Sequence, residues 1–267
     1  MHPRIKHLRS TLTDKEYKKS YQEKKRIKQI PRYEEFSTDL LGTTIRIPDS
    51  ASFLFMHQEI FINEVYKFLS EKEDPYIIDA GANIGLSVLY FKKLYPASKI
   101  IAFEPDKKIF QYLSCNVHEA FQYDEVRLEE KAVWKEETQL SFSSEGADAG
   151  RIDLGLEDTL DYTISAVRLR DYLDQTVDFL KIDIEGSETE VLMDCADKLE
   201  NVERLFVEYH SFSQQEQSLD KLISILSAAN FRIFLNANGF GTLHPYIDRK
   251  QEYGMDLQLN IFAYRPE

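Results

Sequence analysis

The sequence predicts a Rossmann-like α/β fold: a seven-stranded, mostly parallel sheet whose last strand is antiparallel, with helices on both faces and an N-terminal helical extension. Short, continuously apolar runs alternate with segments whose apolar residues recur every three or four positions, as in strands joined by crossover helices. A loop without clear helical spacing joins the last two runs, which favours an antiparallel final strand. The 267 residues, 43% of them hydrophobic, suffice for one such domain and an appendage.

The chain divides where this alternation begins. Residues 1–72 are predicted to form a basic N-terminal extension and cover segment, and residues 73–267 the main domain. Residues 1–32 hold 11 Lys/Arg and 3 Asp/Glu, a net charge of +8, whereas the rest hold 22 and 43, a net charge of -21. The basic arm is expected to be a partly helical extension that packs on an acidic surface. That surface belongs to its own subunit or to a neighbour in a homo-oligomer; contact with phosphates or anionic lipid is the alternative.

Each predicted element has a local signal. Within the cover segment, β-branched residues predict a strand at 43–47 and helical steps predict a helix over 53–69. Apolar runs predict strands that begin near residues 76, 99, 126, 178, 204, 231 and 257. Helical spacing predicts helices over 84–95, 109–120, 188–196 and 219–226. The small polar segment 143–150 is expected to be either a lid over a ligand or a hairpin tip.

A glycine-containing turn follows the strand at 76–79. Gly81 permits a tight turn and a close ligand approach, and Gly85 lets the next helix pack close to the strand. Such a turn is expected to point free N–H groups at a ligand. Glu104 closes the second strand, where a carboxylate can accept both hydroxyls of a ribose. Together these features predict a nucleoside-containing cofactor.

The residues around the turn favour one cofactor over another. A dinucleotide fingerprint has glycine at its third and sixth positions, where this chain has Asn83 and Leu86. Asp79 would place a negative charge close to a pyrophosphate, which is unfavourable. The same carboxylate suits a cationic ligand with an amino-acid end. We therefore expect S-adenosylmethionine rather than NAD.

Three motifs, IIDAGANIG at 77–85, AFEP at 102–105 and LKIDIEGSE at 180–188, resemble the FkbM family of S-adenosylmethionine-dependent methyltransferases. The resemblance covers about residues 75–212. It implies a class I methyltransferase fold and methyl transfer to oxygen, often a hydroxyl of a sugar or polyketide. It also implies a cofactor site with three parts. The methionine end would be contacted by Asp79, Gly81, Ala82, Asn83 and Gly85. The ribose would be contacted by Glu104 and Pro105, and the adenine by Lys131 and Ala132.

Acidic residues follow the strand near 178. Asp183 and Glu185 are expected beside the glycine turn, where either can take a proton from an acceptor hydroxyl or hold the acceptor. The alternative is that they are helix N-terminal charges, although Glu188 and Glu190 already provide these. His210, after the next strand, is the alternative general base. Asp183, Glu185 and His210, with Glu208, are also a candidate set for Mg²⁺, but nothing in their spacing demands it and no metal site is predicted.

The sequence therefore predicts an S-adenosylmethionine-dependent methyltransferase that acts on a hydroxyl of a sugar, a glycan or a similar polyhydroxylated metabolite and releases S-adenosylhomocysteine. Two other interpretations stay open. One is an RNA or protein methyltransferase docked by the basic arm, and the other is a non-catalytic nucleotide-binding interaction protein. The acidic main domain would repel a polyanion, so nucleic-acid binding is disfavoured.

Composition also limits the cellular setting. The chain contains only Cys115 and Cys195, which excludes a disulfide framework. No run of about 18 apolar residues occurs, so no membrane span is predicted. The first residues continue into charged sequence rather than into an apolar stretch, and we expect a cytoplasmic location.

Overall fold

The N-terminal part of the chain covers one face of the main sheet. The computed structural model describes residues 14–120, 125–143, 151–152, 162–237, 244, 246–248, 251 and 254–266. Before the main sheet lie, in order, α1 (Asp14–Ile27), β1 (Phe36–Thr38), β2 (Ile45–Ile47), α2 (Ser50–His57) and a π-helical turn at Gln58–Ile62. The strand predicted at 43–47 is β2, which pairs antiparallel with β1. The part of the basic arm before residue 14 lies outside the described residues.

The helix predicted over 53–69 is wrong in its second half. The regular helix ends at His57, the π-helical turn follows, and Glu64 has a left-handed φ of 52°. Tyr66 then packs edge-on against Phe206 of the sheet, with the ring centroids 4.9 Å apart. The three- and four-residue spacing in this segment therefore comes from aromatic side chains that dock on the sheet, not from a continuous helix.

The main sheet contains the seven predicted strands. In chain order the remaining elements are β3 (Tyr76–Ala80), α3 (Leu86–Leu94), β4 (Lys99–Phe103), α4 (Lys107–Ala120), β5 (Val126–Glu129), β6 (Ala132–Trp134), β7 (Thr138–Ser143), β8 (Arg151–Ile152), β9 (Tyr162–Arg168), β10 (Phe179–Ile182), α5 (Glu188–Cys195), β11 (Arg204–Phe212), α6 (Leu219–Ala228), β12 (Arg232–Ala237) and β13 (Met255–Tyr264). The strand order is β12-β13-β11-β10-β3-β4-β5. Only β13 in this set runs antiparallel to its two neighbours, so the predicted fold class is confirmed.

A second sheet, with the order β6-β9-β7-β8, was not predicted. Its strands alternate apolar and polar residues, as in Leu140 and Phe142 on β7 and in Tyr162 and Ile164 on β9. That period of two is the signal in the sequence that would have found it. Of the segment predicted to be a lid or a hairpin tip, Ser143 ends β7 and residues 144–150 lie outside the described part of the chain.

The two faces of the main sheet are covered by different elements. One core layer contains residues of α3, α4 and the cover segment, and the other contains residues of α5 and α6. We call the first the cover face. Because β3, β4, β10 and β11 are parallel, their carboxyl ends meet at one edge of the sheet, here called the carboxyl edge. Among the described helices, none has the length and apolar character needed to cross a membrane.

Candidate active site

The turn after β3 is shaped by a close approach to the segment after β10. Gly81 has a φ of 89°, and a Cβ atom at this position would lie 1.8 Å from the carbonyl oxygen of Asp183. The amide of Asp183 donates to the carbonyl oxygen of Ala80 at 3.0 Å, which ties the two segments together. Glycine is therefore required at position 81, and the structure brings Gly81 and Asp183 together at the carboxyl edge.

The amides of this turn are already engaged within the protein. The amides of Gly81 and Ala82 both donate to the carbonyl oxygen of Phe103, at 3.1 and 2.8 Å. The amide of Asn83 donates to Glu104 Oε2 at 2.9 Å. The expectation that the turn points free N–H groups at a ligand is wrong for these three residues. Free backbone N–H groups suit phosphate groups. A turn whose amides are bonded within the protein is therefore compatible with a ligand that has no phosphate, such as S-adenosylmethionine.

Glu104 lies at the end of β4, directly beside the turn. It is 7% exposed, and its Oε1 accepts a hydrogen bond from the amide of Asp106 at 2.9 Å, while its Oε2 accepts from Asn83. Burial raises the pKa of Glu104 to about 8. Each carboxylate oxygen can accept more than one hydrogen bond, so Glu104 retains capacity for hydroxyl donors. A ribose supplies two such donors.

The other residues expected around the nucleoside follow the same edge. Pro105 comes directly after Glu104 and is half-buried. Lys131 and Ala132 lie one strand further along, because they follow β5, which pairs with β4. The ammonium of Lys131 is 3.3 Å from a carboxylate oxygen of Glu129. The structure thus places these residues along the carboxyl edge, and their contacts with adenine stay a prediction.

Asp79 is not an open negative site. Its side chain is fully buried, and the hydroxyl of Ser87 donates to its Oδ2 at 2.5 Å. Lys181 Nζ lies 3.2 Å from Asp79 Oδ1, without hydrogen-bond alignment, and donates to the carbonyl oxygen of Gly81 at 2.8 Å. Burial opposes the charge of Lys181, but Asp79 and Asp183 outweigh it and raise the pKa of the ammonium well above its usual value. Asp79 therefore already has a cationic neighbour within the protein, and its contact with a cationic ligand stays a prediction.

Asp183, Glu185 and His210 meet at the carboxyl edge, as the sequence predicts. His210 Nε2 lies 3.7 Å from Glu185 Oε2, and His210 Nδ1 lies 3.0 Å from Glu188 Oε1. The buried carboxylate of Glu188 also accepts a hydrogen bond from the amide of Gly186 at 3.0 Å. Glu188 is thus more than a helix N-terminal charge, because its side chain turns back to hold the loop and the imidazole.

Five acids form what we call the acidic cluster: Asp79, Asp183, Glu185, Glu188 and Glu208. Burial raises the pKa of Glu185 to about 8. Burial opposes a charge on His210, but Glu185 and Glu188 outweigh it and raise the pKa of the imidazole well above its usual value. Among the described residues, these five acidic side chains thus surround two basic ones, Lys181 and His210. The cluster therefore keeps an excess of negative charge beside the glycine turn.

The same region offers a set of metal-ligand atoms. Within the described residues, ligand atoms of Asp183, Glu185 and His210 all lie within 4.8 Å of one another. A metal ion there would compete with the proton of His210 and would face the ammonium of Lys181, which lies 3.3 Å from Asp183 Oδ2. The absence of a metal site stays a prediction.

Three residues of the site were missed by sequence reasoning. Tyr66 reaches it from the cover segment, with its ring centroid 5.7 Å from Lys181 Nζ. Burial raises the pKa of the Tyr66 hydroxyl well above its usual value, and the charges of Asp183 and Glu208 act in the same direction. Lys181 and Glu188 are the other two. A lysine between apolar strand residues was the available signal, because a buried lysine needs an acidic partner.

Comparison with known proteins points to methyltransferases. A family profile described as the methyltransferase FkbM domain matches residues 79–233, more than half of the chain. Methyltransferase 1 of Beauveria bassiana is 31% identical over 163 residues, which cover 52% of this chain and 65% of that protein. A 2-O-methyltransferase, NoeI, of Sinorhizobium fredii is 24% identical over 186 residues, which cover 62% of this chain and 72% of that protein.

A solved structure shows the same fold. The crystal structure of methyltransferase FkbM from Methylobacillus flagellatus aligns with a TM-score of 0.50 at 16% identity, covering 74% of this chain and 45% of that chain. At this level of identity the likeness establishes the fold alone. The match also spans less than two thirds of the length of that protein and of Methyltransferase 1.

Proposed function

Because this chain belongs to the FkbM family of methyltransferases, we propose that it transfers a methyl group from S-adenosylmethionine to a hydroxyl of a sugar, a glycan or a similar polyhydroxylated metabolite. The fold implies use of this donor. A relative that is named a 2-O-methyltransferase supports oxygen as the acceptor atom. The observation that carries the proposal is the excess negative charge of the acidic cluster beside the glycine turn and Glu104.

The residues present fit such a donor. Its sulfonium and ammonium groups are cationic, and the acidic cluster favours positive charge in this position. Gly81 lets the turn pack against the backbone of Asp183, and Glu104 has the capacity to accept the two ribose hydroxyls. When bound, S-adenosylmethionine supplies an electrophilic methyl group. The turn, Glu104 and Asp183 would hold it at the carboxyl edge.

Loss of the acceptor proton requires a base, and the charges favour Glu185. His210 holds its proton at neutral pH, because neighbouring carboxylates raise the pKa of its imidazole. An imidazolium cannot accept a proton, so His210 is better suited to hold Glu185, whose Oε2 lies 3.7 Å from His210 Nε2. The pKa of Glu185, about 8, suits a base that works near neutral pH. We assign proton acceptance to Glu185 and acceptor positioning to Asp183.

Calorimetric titration with S-adenosylhomocysteine tests the first half of the proposal. Binding is expected, and no binding up to millimolar concentration by a folded protein would overturn it. The second half is tested with S-adenosylmethionine carrying a tritiated methyl group, which is offered with cell-extract glycans, polyhydroxylated metabolites, RNA and protein in separate reactions. Label in the glycan or metabolite fraction is expected. Label confined to RNA or protein would contradict the proposed acceptor class.

A further inference from the structure

The outer side of the cover segment carries an uncharged stripe, although the protein as a whole is acidic. Ala51, Phe55, Gln58 and Ile62 are exposed and recur every three or four residues along α2 and the π-helical turn, so they share one side of this helix. Phe55 is 51% exposed and Ile62 is 53% exposed. Glu59 is the only Asp, Glu, Lys or Arg in the segment. We call the four exposed residues the uncharged stripe.

Two lysines flank this helix. The ammonium of Lys93 lies 5.9 Å from the ring centroid of Phe61. Burial, together with the charges of Lys24 and Lys93, lowers the pKa of His57 to about 4, so both ammonium groups lie near a neutral imidazole. Neither lysine forms an ion pair with another residue of the described part of the chain. Both charges are therefore available to an anionic partner.

The helix α1 adds exposed aromatic and basic side chains next to α2. The two helices pack together, and Ile27 of α1 and Phe53 of α2 share one core layer. Tyr17, Tyr21 and Lys25 follow each other at four-residue steps on the exposed side of α1, and the two tyrosines are 63% and 62% exposed. Tyrosine and lysine both combine an apolar body with a polar end, which suits the boundary between water and an apolar phase.

An anionic lipid surface has the matching chemistry, because a layer of negatively charged head groups covers an apolar interior. We propose that the uncharged stripe and the exposed side of α1 dock on such a surface. Phe55 and Ile62 enter the boundary between head groups and acyl chains, and Tyr17 and Tyr21 lie at the level of the head groups. The flanking lysines contact lipid phosphates and carboxylates. This inference goes beyond the proposed function and does not depend on it.

Two other anionic partners fit the surface less well. Nucleic acids are bound by cations at phosphates and by aromatic rings under bases, which gives Ile62 and the uncharged stripe no role. The acidic main domain of a second copy would attract the lysines but would bring carboxylates against Phe55 and Ile62. The same acidic domain repels an anionic membrane, but charges more than about 8 Å from the lipid are largely screened at physiological salt.

Co-sedimentation of the full chain with lipid vesicles tests the proposal. We expect binding to vesicles of phosphatidylcholine mixed with phosphatidylserine, no binding to phosphatidylcholine alone, and weaker binding as salt is raised. Phe55→Gln combined with Ile62→Gln removes the apolar contact, and Lys24→Gln combined with Lys93→Gln removes the flanking charges. Each pair should weaken binding about tenfold or more.

The control variants change residues of the same types on the opposite face of the sheet, where α5 and α6 pack. Met193→Gln replaces an apolar side chain that is 51% exposed, and Lys198→Gln combined with Lys221→Gln removes two charges. These variants should bind the mixed vesicles as the wild type does. Thermal unfolding checks that every variant folds, and if the variant of the stripe is destabilised, the variant of the flanking lysines decides.

The inference is overturned if the wild type leaves the mixed vesicles unbound, or if the control variants lose as much binding as the variants of the docking surface. Titration of a fluorescent single-stranded RNA and light scattering test the other two partners. RNA binding that depends on Lys24 and Lys93, without vesicle binding, would assign the surface to nucleic acid. A dimer that Phe55→Gln combined with Ile62→Gln converts into monomers, without vesicle binding, would assign it to a subunit interface. Either result would also overturn the inference.

Discussion

The two edges of the main sheet carry charged residues of the same types but arrange them in opposite ways. We call the opposite edge, where the parallel strands begin, the amino edge. There Lys72 lies 2.9 Å from Asp178 and Lys99 lies 2.9 Å from Asp74, so each of these cations has an acid partner. At the carboxyl edge, the acidic cluster outnumbers Lys181 and His210. The pairs at the amino edge are partly solvated, whereas Lys181 and His210 are buried.

The charges at the amino edge neutralise one another. The acidic excess at the carboxyl edge can instead be neutralised by a cationic ligand. Exposed ion pairs contribute little to the free energy of unfolding. Carboxylates that are buried or half-buried and outnumber the nearby cations oppose folding, because like charges repel and their desolvation is only partly offset by partners. Clusters of ionisable groups with shifted pKa values are common at functional sites. We therefore expect the carboxyl edge to be the functional edge, so changes there should affect binding and turnover far more than changes at the amino edge.

The largest effect is expected when space at the carboxyl edge is filled. Gly81→Ala adds a Cβ 1.8 Å from the carbonyl oxygen of Asp183, at a φ of 89°. Gly42 has a similar φ of 88° but nothing within 4 Å of its Cβ position, so Gly42→Ala is the matched control. Urea unfolding should show a loss of about 1–2 kcal/mol for the control and at least about 3 kcal/mol for Gly81→Ala. Equal losses would contradict a steric requirement at position 81.

A change of charge at the same edge should stop turnover while sparing donor binding. Glu185→Gln removes the proposed base, and methyl transfer should fall about 100-fold or more, while S-adenosylhomocysteine still binds. In the wild type the rate should rise with pH through about pH 8 and level off above it, because the carboxylate form of Glu185 is the base. Asp74→Asn, at the amino edge, should leave rate and pH profile unchanged. A Glu185→Gln enzyme that keeps the wild-type profile would exclude Glu185 as the base.

Donor binding should itself release protons. Burial raises the pKa of Glu104 to about 8, so much of this carboxyl is protonated at neutral pH. Ribose hydroxyls that donate to it favour the ionised form and lower its pKa, so binding near neutral pH expels a proton, and affinity rises with pH up to about pH 8 and levels off above it. Calorimetry in two buffers of different ionisation enthalpy measures this release. Glu104→Gln should bind the donor product about tenfold more weakly and release no proton from this site. An unchanged proton release would show that the proton comes from a group other than Glu104.

The smallest effect is expected at the amino edge. Lys99→Ala removes the partner of Asp74, and both side chains are about half exposed, at 54% and 52%. The thermal midpoint and its dependence on salt should match those of the wild type, because such pairs are screened by water and ions. A clear drop in the midpoint would show that the paired edge contributes to stability and would contradict the contrast between the two edges.

The sequence was sufficient for the sheet and for bringing Asp183, Glu185 and His210 together at its carboxyl edge. Apolar runs such as those beginning at Tyr76 and Lys99 are long enough to identify buried strands, and the crossover rule then places their carboxyl ends together. Asp183, Glu185 and His210 followed from that placement, because each comes at or after the end of a neighbouring strand. The second sheet was missed because its longer strands, β7 and β9, alternate apolar and polar residues and so contain no continuous apolar run.

Partner choice within the site was beyond sequence reasoning. Lys181 pairs with Asp79, about 100 positions away, and no local spacing encodes which acid a buried lysine will meet. In the same way, Glu188 reads as a helix N-terminal charge until the fold brings His210 to its side chain. The helical spacing around Tyr66 pointed to the wrong element, since packing on Phe206 determines the path of that segment. Tertiary contacts, not propensity, decide these cases.

A crystal structure with S-adenosylhomocysteine would test the assignment of the carboxyl edge most directly. We expect the ribose hydroxyls within hydrogen-bond distance of the Glu104 carboxylate and the homocysteine end over the turn between Gly81 and Gly85, with its amino group toward the acidic cluster. The ligand bound at the amino edge, or bound with Glu104 and the turn untouched, would contradict the account.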